Sequence, residues 1–79
     1  KGLIMNLNEF IAAFAAEFDE TPESMFAPNT IFKDLVEWDS LASLSIIAMV
    51  DETLEKRITG SELRSCNTIE ELYNQIMQK

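Results

Sequence analysis

Seventy-nine residues carry fourteen acidic and six basic side chains, a net charge of −8. That balance repels nucleic acid and anionic lipid and suits basic protein partners, although acidity alone also keeps a small protein soluble. Histidine is absent and Cys66 is the single cysteine, which excludes histidine-based catalysis and an internal disulfide, while no apolar run approaches the roughly eighteen residues of a membrane span.

The length suits one domain, residues 1–79, with a core small enough that every local signal must agree with the fold. No basic segment leads into an apolar one, so no signal peptide is read. The lone cysteine points to a reducing compartment, and a cytoplasmic monomer is expected. The chain begins at Lys1. Met5 is read as a candidate natural start, with Lys1 to Ile4 left over from recombinant expression.

Leu7, Phe10, Ile11, Phe14 and Phe18 fall on one stripe of an amphipathic first helix. Asn6 or Asn8 caps its start, and Asp19-Glu20-Thr21-Pro22 ends it, because proline lacks an N–H and disfavours helix in the residue before it. Thr21 to Trp38 is a long connection without a sustained period. A connection of that length is functional or packed down by its own side chains, and Phe32 and Leu35 are expected to anchor it.

A second helix is expected from about Ser40 to Lys56, with Lys56 and Arg57 complementing the negative end of its dipole. Gly60 and Ser61 mark a break, and Ser61 to Cys66 can make only a short helix. Thr68-Ile69-Glu70-Glu71 reads as a capping box that opens a last helix with Ile69, Leu72, Tyr73 and Ile76 on one stripe. No segment alternates long enough for a sheet. The fold class is therefore all-α: a bundle of three main helices and a short third one. Phe10, Ile11, Phe14, Ile47, Val50, Leu54, Ile58, Leu63, Ile69, Leu72 and Ile76 are its expected core.

The second helix has two apolar faces. Ile46, Ile47, Val50 and Leu54 cluster inward, with Ser43 among them. Leu41, Leu44 and Ala48 form a second strip beside Ser45, Asp51, Glu52 and Glu55. That strip either folds under the long connection or is a docking surface, where small apolar areas rimmed by charge are typical.

Few residues suit chemistry. Nucleophilic catalysis needs a base to activate a serine, and neither Lys33 nor a carboxylate has a motif for that role. Asp34 with Glu37, and Asp51 with Glu52, read as solvated acids rather than as a general acid–base pair. The acids from Asp34 to Asp39 lack the glycine and the terminal glutamate of a calcium loop. Cys66 reads as a small buried residue. With Gly2 and Gly60 the only glycines, no glycine-rich phosphate loop exists. No catalytic and no metal-ligating residue is assigned. Ser40 stands apart. A serine opening a helix is an N-cap in the plain reading, but a phosphodiester on the same oxygen is also favoured by the free N–H groups and positive end of the helix.

Phe32-Lys33-Asp34-Leu35, Asp39-Ser40-Leu41, the apolar helix to Leu54, Ile58, and Thr68-Ile69-Glu70-Glu71-Leu72 together resemble an acyl carrier protein over Phe10 to Ile76. The triplet alone is weak; its placement among the other elements makes the pattern specific. The resemblance implies a four-helix bundle with a short third helix. It implies that Ser40, flanked by Asp39 and Leu41, carries 4′-phosphopantetheine, placed there from coenzyme A by a magnesium-dependent phosphopantetheinyl transferase. The arm's thiol then holds acyl groups as thioesters for acyl-transferring and condensing enzymes, and the carrier does no chemistry itself. Recognition is implied at the second helix: Leu41, Leu44, Ser45, Ala48, Asp51 and Glu52.

Two departures bear on the pathway. Family members often carry glycine shortly before the Asp-Ser pair, where this chain reads Leu35-Val36-Glu37-Trp38-Asp39, with one extra residue. Fatty-acid carriers usually bear acids early in the second helix, where Ala42 and Ser45 stand. The favoured reading is a specialised stand-alone carrier serving fatty-acid, lipid or polyketide-type biosynthesis. The alternatives are an aminoacyl or peptidyl carrier and, from a different class, a cofactor-free helical adaptor that docks through Leu41, Leu44 and Ala48.

Overall fold

The structure, a computed structural model, describes residues 5–79, so the reading of Lys1 to Ile4 lies outside the described residues. Four helices follow in order: α1 Leu7–Ala15, α2 Ser40–Leu54, α3 Gly60–Ser65 and α4 Ile69–Met77. Two 3₁₀ turns, Glu23–Met25 and Phe32–Asp34, lie in the α1–α2 connection. The remaining extended feature among the described residues is an isolated antiparallel bridge between Ile31 and Thr68. The all-α bundle with a short third helix is thus the observed architecture, and its Cα radius of gyration of 11.4 Å matches the roughly 12 Å of a compact chain of this length.

Local chemistry sets the helix ends. Asn6 caps α1 in a reciprocal box: its side chain accepts from the Glu9 N–H at 2.8 Å, and Glu9 accepts from the Asn6 N–H at 3.0 Å. The helix stops at Ala15, earlier than the stripe predicts. The Glu17 and Phe18 N–H groups bond three residues back, to Phe14 and Ala15, so the chain tightens and still turns Phe18 inward. Helix α3 starts at Gly60, within the expected break and one residue before the expected Ser61. Thr59 caps it, with Glu62 completing a box, and Gly60 is its first residue.

Helix α2 ends at Leu54, because Glu55 turns left-handed at φ 56°, a conformation costing a non-glycine residue about 1–2 kcal/mol. Lys56 and Arg57 therefore lie beyond the last turn, contrary to the expected dipole pairing, and the Lys56 ammonium donates to the Lys79 carbonyl at 2.6 Å. At α4 the box is half formed. Thr68 accepts from the Glu71 N–H, but Glu71 reaches back to the Asn67 N–H. The long connection satisfies the next donors: Ile69 N–H bonds the Thr30 carbonyl at 3.2 Å and Glu70 N–H the Pro28 carbonyl at 3.0 Å. These are N–H groups that no partner within the helix could take.

The core contains Phe10, Ile11, Phe14, Val50, Leu54, Ile58, Leu63, Ile69, Leu72 and Ile76, as expected. The exception is Ile47, which is half-buried, while Ile46 and Met49 are buried. The inward arc of α2 is centred on Ile46 and Val50, with Met49 on one flank, and Ile47 sits at its edge. Because α2 is apolar on most sides, periodicity alone does not fix that centre. The long connection is held by Phe26 and Phe32, both buried, with Leu35 only half-buried. Their rings join Phe14, Phe18 and Trp38: Phe14 lies 5.6 Å from Phe32 and Trp38 lies 5.0 Å from Phe32 between centroids. This aromatic cluster fixes Trp38, and with it the start of α2.

Candidate functional site

The start of α2 is built by Asp39. With φ −154° and ψ −170° it is extended, and its carboxylate accepts from the Ala42 N–H at 2.8 Å. The Asp39 carbonyl accepts from the Ser43 N–H at 3.0 Å and from the Ser43 hydroxyl at 3.2 Å. The cap is thus Asp39, not Ser40, which corrects the plain reading of the serine. Ser40 is the first helical residue and is exposed. Among the described residues its hydroxyl has no hydrogen-bond partner, and no protein acceptor takes the Ser40 or Leu41 N–H. A carboxylate is the better cap acceptor because its bond to the N–H is charge-assisted.

Beside Ser40 lies a pocket of about 360 Å³, lined by Lys33, Trp38, Asp39, Ser40, Ser43, Gly60, Leu63 and Arg64. It opens between the end of the long connection, the first turn of α2 and the short helix α3. The Lys33 ammonium donates to the Arg64 carbonyl, which ties the connection to α3. Sequence reasoning missed the contributions of Gly60, Leu63 and Arg64, because nothing local in the chain places α3 against the start of α2.

On the adjoining outer face of α2, Leu41 and Leu44 are 72% and 62% exposed. Ala48, Asp51 and Glu52 are exposed beside them, and Ser45 is half-buried. The long connection does not cover this strip. It packs on α1 through Phe26, Phe32 and Trp38, and against the start of α4. Ala42, by contrast, packs against the core. Cys66 is buried, as expected. Its thiol lies 3.0 Å from the side-chain amide Oε1 of Gln75, and burial pushes its pKa up.

The all-α bundle with a short third helix is consistent with the acyl carrier fold. The family model described as the phosphopantetheine attachment site matches residues 8–76, and the chain belongs to that family. It is a carrier protein domain of the acyl carrier family that bears covalent 4′-phosphopantetheine, and it meets a modifying transferase and acyl-handling enzymes. Neither the curated proteins nor the solved structures give a match. The start of α2 fits the group. It offers an unpartnered hydroxyl, two open N–H groups at a positive helix end, and a pocket edged by Lys33 and Arg64. No helix of the described residues is long and apolar enough to cross a membrane.

Proposed function

We propose that Ser40 is the attachment point and that the chain is a carrier that delivers acyl groups to separate enzymes of fatty-acid, lipid or polyketide-type biosynthesis, without catalysing a step itself. The observation that carries this is the Ser40 hydroxyl, exposed and without a protein partner directly after the Asp39 cap. In the loading step Ser40 Oγ forms a bond to the phosphate next to pantetheine in coenzyme A. The bond from that phosphate to the second one breaks, and the adenosine bisphosphate leaves. The serine proton passes to a base of the transferase, since this chain has no histidine. The arm, once attached, supplies the terminal thiol that holds acyl groups as thioesters.

Leu41, Leu44, Ser45 and Ala48 are the proposed docking contacts, with Asp51 and Glu52 meeting basic residues of the partner. Buried apolar contact holds such a complex, and rim charge sets encounter rate and selectivity. A cytoplasmic site suits the lone buried thiol and the coenzyme A donor. Family membership speaks against the cofactor-free adaptor. The test is incubation of the chain with coenzyme A, magnesium and a broad-specificity transferase, read by intact mass. One added phosphopantetheine is expected on the wild type and none on Ser40→Ala. A modified alanine variant would refute the assignment.

A further inference from the structure

Six basic side chains in a chain of net charge −8 should be drawn to carboxylates. Yet among the described residues the ion pair that forms joins Lys79 to Glu62, at 2.7 Å. Lys33 and Arg64 have no carboxylate partner, and both line the pocket beside Ser40. Lys33 is tied there by a hydrogen bond, and the exposed Arg64 lies against Gly60. The Lys33 side chain is half-buried and tied across the pocket to the Arg64 carbonyl. The Arg64 guanidinium folds back over Gly60 so closely that a Cβ at residue 60 would stand 3.2 Å from its Nη1. Glycine at this place leaves the space that the guanidinium occupies. The one carboxylate lining the pocket, Asp39, is engaged with the Ala42 N–H, and the first turn of α2 has no acid.

We infer that Lys33 and Arg64 form a binding site for the phosphodiester on Ser40, so that the start of the arm lies in the pocket toward α3 rather than free in solvent. The inference rests on Ser40 as the attachment point. Two cations line the pocket beside Ser40, at the helix start where the Ser40 and Leu41 N–H groups are open, so one anion there would meet both kinds of donor. Guanidinium is suited to grip phosphate oxygens in pairs, and the ammonium acts as a point charge. Half-buried Trp38, backed by the buried Leu63 at the floor of the same pocket, offers apolar surface to the branched carbon that follows the phosphate in pantetheine. Lys33 and Arg64 are positioning residues: they orient the arm and take no part in thioester chemistry.

The experiment loads a ¹³C-labelled arm onto the chain with the transferase and follows the arm's methyl groups by NMR. In the wild type, nuclear Overhauser contacts to Leu63 and Trp38 and slowed methyl motion are expected, both weakening as salt is raised. In Arg64→Gln, which keeps the Lys33 tie to the backbone, the docked population should fall roughly 1.4- to 5-fold, the range of one partly exposed charge contact. In Lys33→Gln with Arg64→Gln it should fall further, with unchanged thermal melting showing that the fold persists. Intact mass separates the two readings. No added mass on the wild type overturns Ser40 as attachment point and this inference with it. Added mass with identical arm spectra in wild type and variants overturns this inference alone.

Discussion

The Asp39 carboxylate accepts from the Ala42 N–H at 2.8 Å, and this bond leaves the hydroxyl of the intervening Ser40 without structural duty. The plain reading gives the cap to Ser40, but Asp39 supplies it, which leaves Ser40 for the proposed attachment. Asp39→Ala should therefore cost about 0.5–2 kcal/mol, the usual loss for a cap. Ser40→Ala should stay within about 0.5 kcal/mol of wild type. Urea denaturation of both variants checks this. A Ser40→Ala loss as large as that of Asp39→Ala would show that the serine also holds the helix.

The burial of α2 makes a sharper claim than its periodicity. Ile46 is fully buried and Ile47 half-buried. Ile46→Ala should cost roughly 2–5 kcal/mol, a large part of what a small domain has. Ile47→Ala should cost about 1 kcal/mol, near half the value of burying such a side chain completely. Thermal melts of the two variants should separate clearly, with Ile46→Ala the lower. The reverse order would put the centre of the inward arc on the other side of the helix.

How much of this was legible in the chain differs by element. Helices α1 and α4 have clear apolar stripes and caps, so Phe10, Phe14, Leu72 and Ile76 could be placed inside from spacing alone. Helix α2 could not be resolved to the residue, because apolar side chains lie on most of its faces. Its end was missed because Glu55 turns left-handed without the glycine that normally announces such a turn. Thr59 and Glu62 did carry a capping-box signal, and it was overlooked in favour of Gly60 as a break. The Ser40 proposal was legible because a short pattern stands at a helix start. Arg64 was not, since its place beside Ser40 depends on how α3 packs against α2.

Acid should weaken the α3 region in a defined way. The Lys79 ammonium beside Glu62, and then the Thr59 N–H, hold its carboxyl below the usual value of 4.5. A group whose folded pKa is lowered contributes stability that is present above its unfolded value and lost as pH falls through the folded one. Glu62→Gln should thus remove a contribution at neutral pH and flatten the acid limb of the stability profile below about pH 4.5. The Glu62 and Lys79 side chains are each 30% exposed, so the effect should shrink in high salt. Urea midpoints of wild type and variant from pH 3 to pH 7 are the measurement. Parallel profiles would show that the pair with Lys79 does not persist in solution.

The proposed docking strip lies on the outer face of α2. Fatty-acid carriers usually bear acids early in this helix, where this chain presents exposed Leu41, Leu44 and Ala48 with half-buried Ser45. Ala42 is no substitute position, because it packs against the core. A partner that grips early acids finds no charge to pair with until Asp51 and Glu52. Each missing exposed pair is worth roughly 0.2–1 kcal/mol. Ser45→Glu with Ala48→Glu should therefore raise the rate with a fatty-acid synthase malonyltransferase by roughly 2- to 30-fold, measured on the phosphopantetheinylated forms at low salt. The gain should fade as ionic strength rises, since rim charge acts on encounter. A wild type already as fast as the double variant would return this chain to ordinary fatty-acid synthesis and remove the case for a specialised carrier.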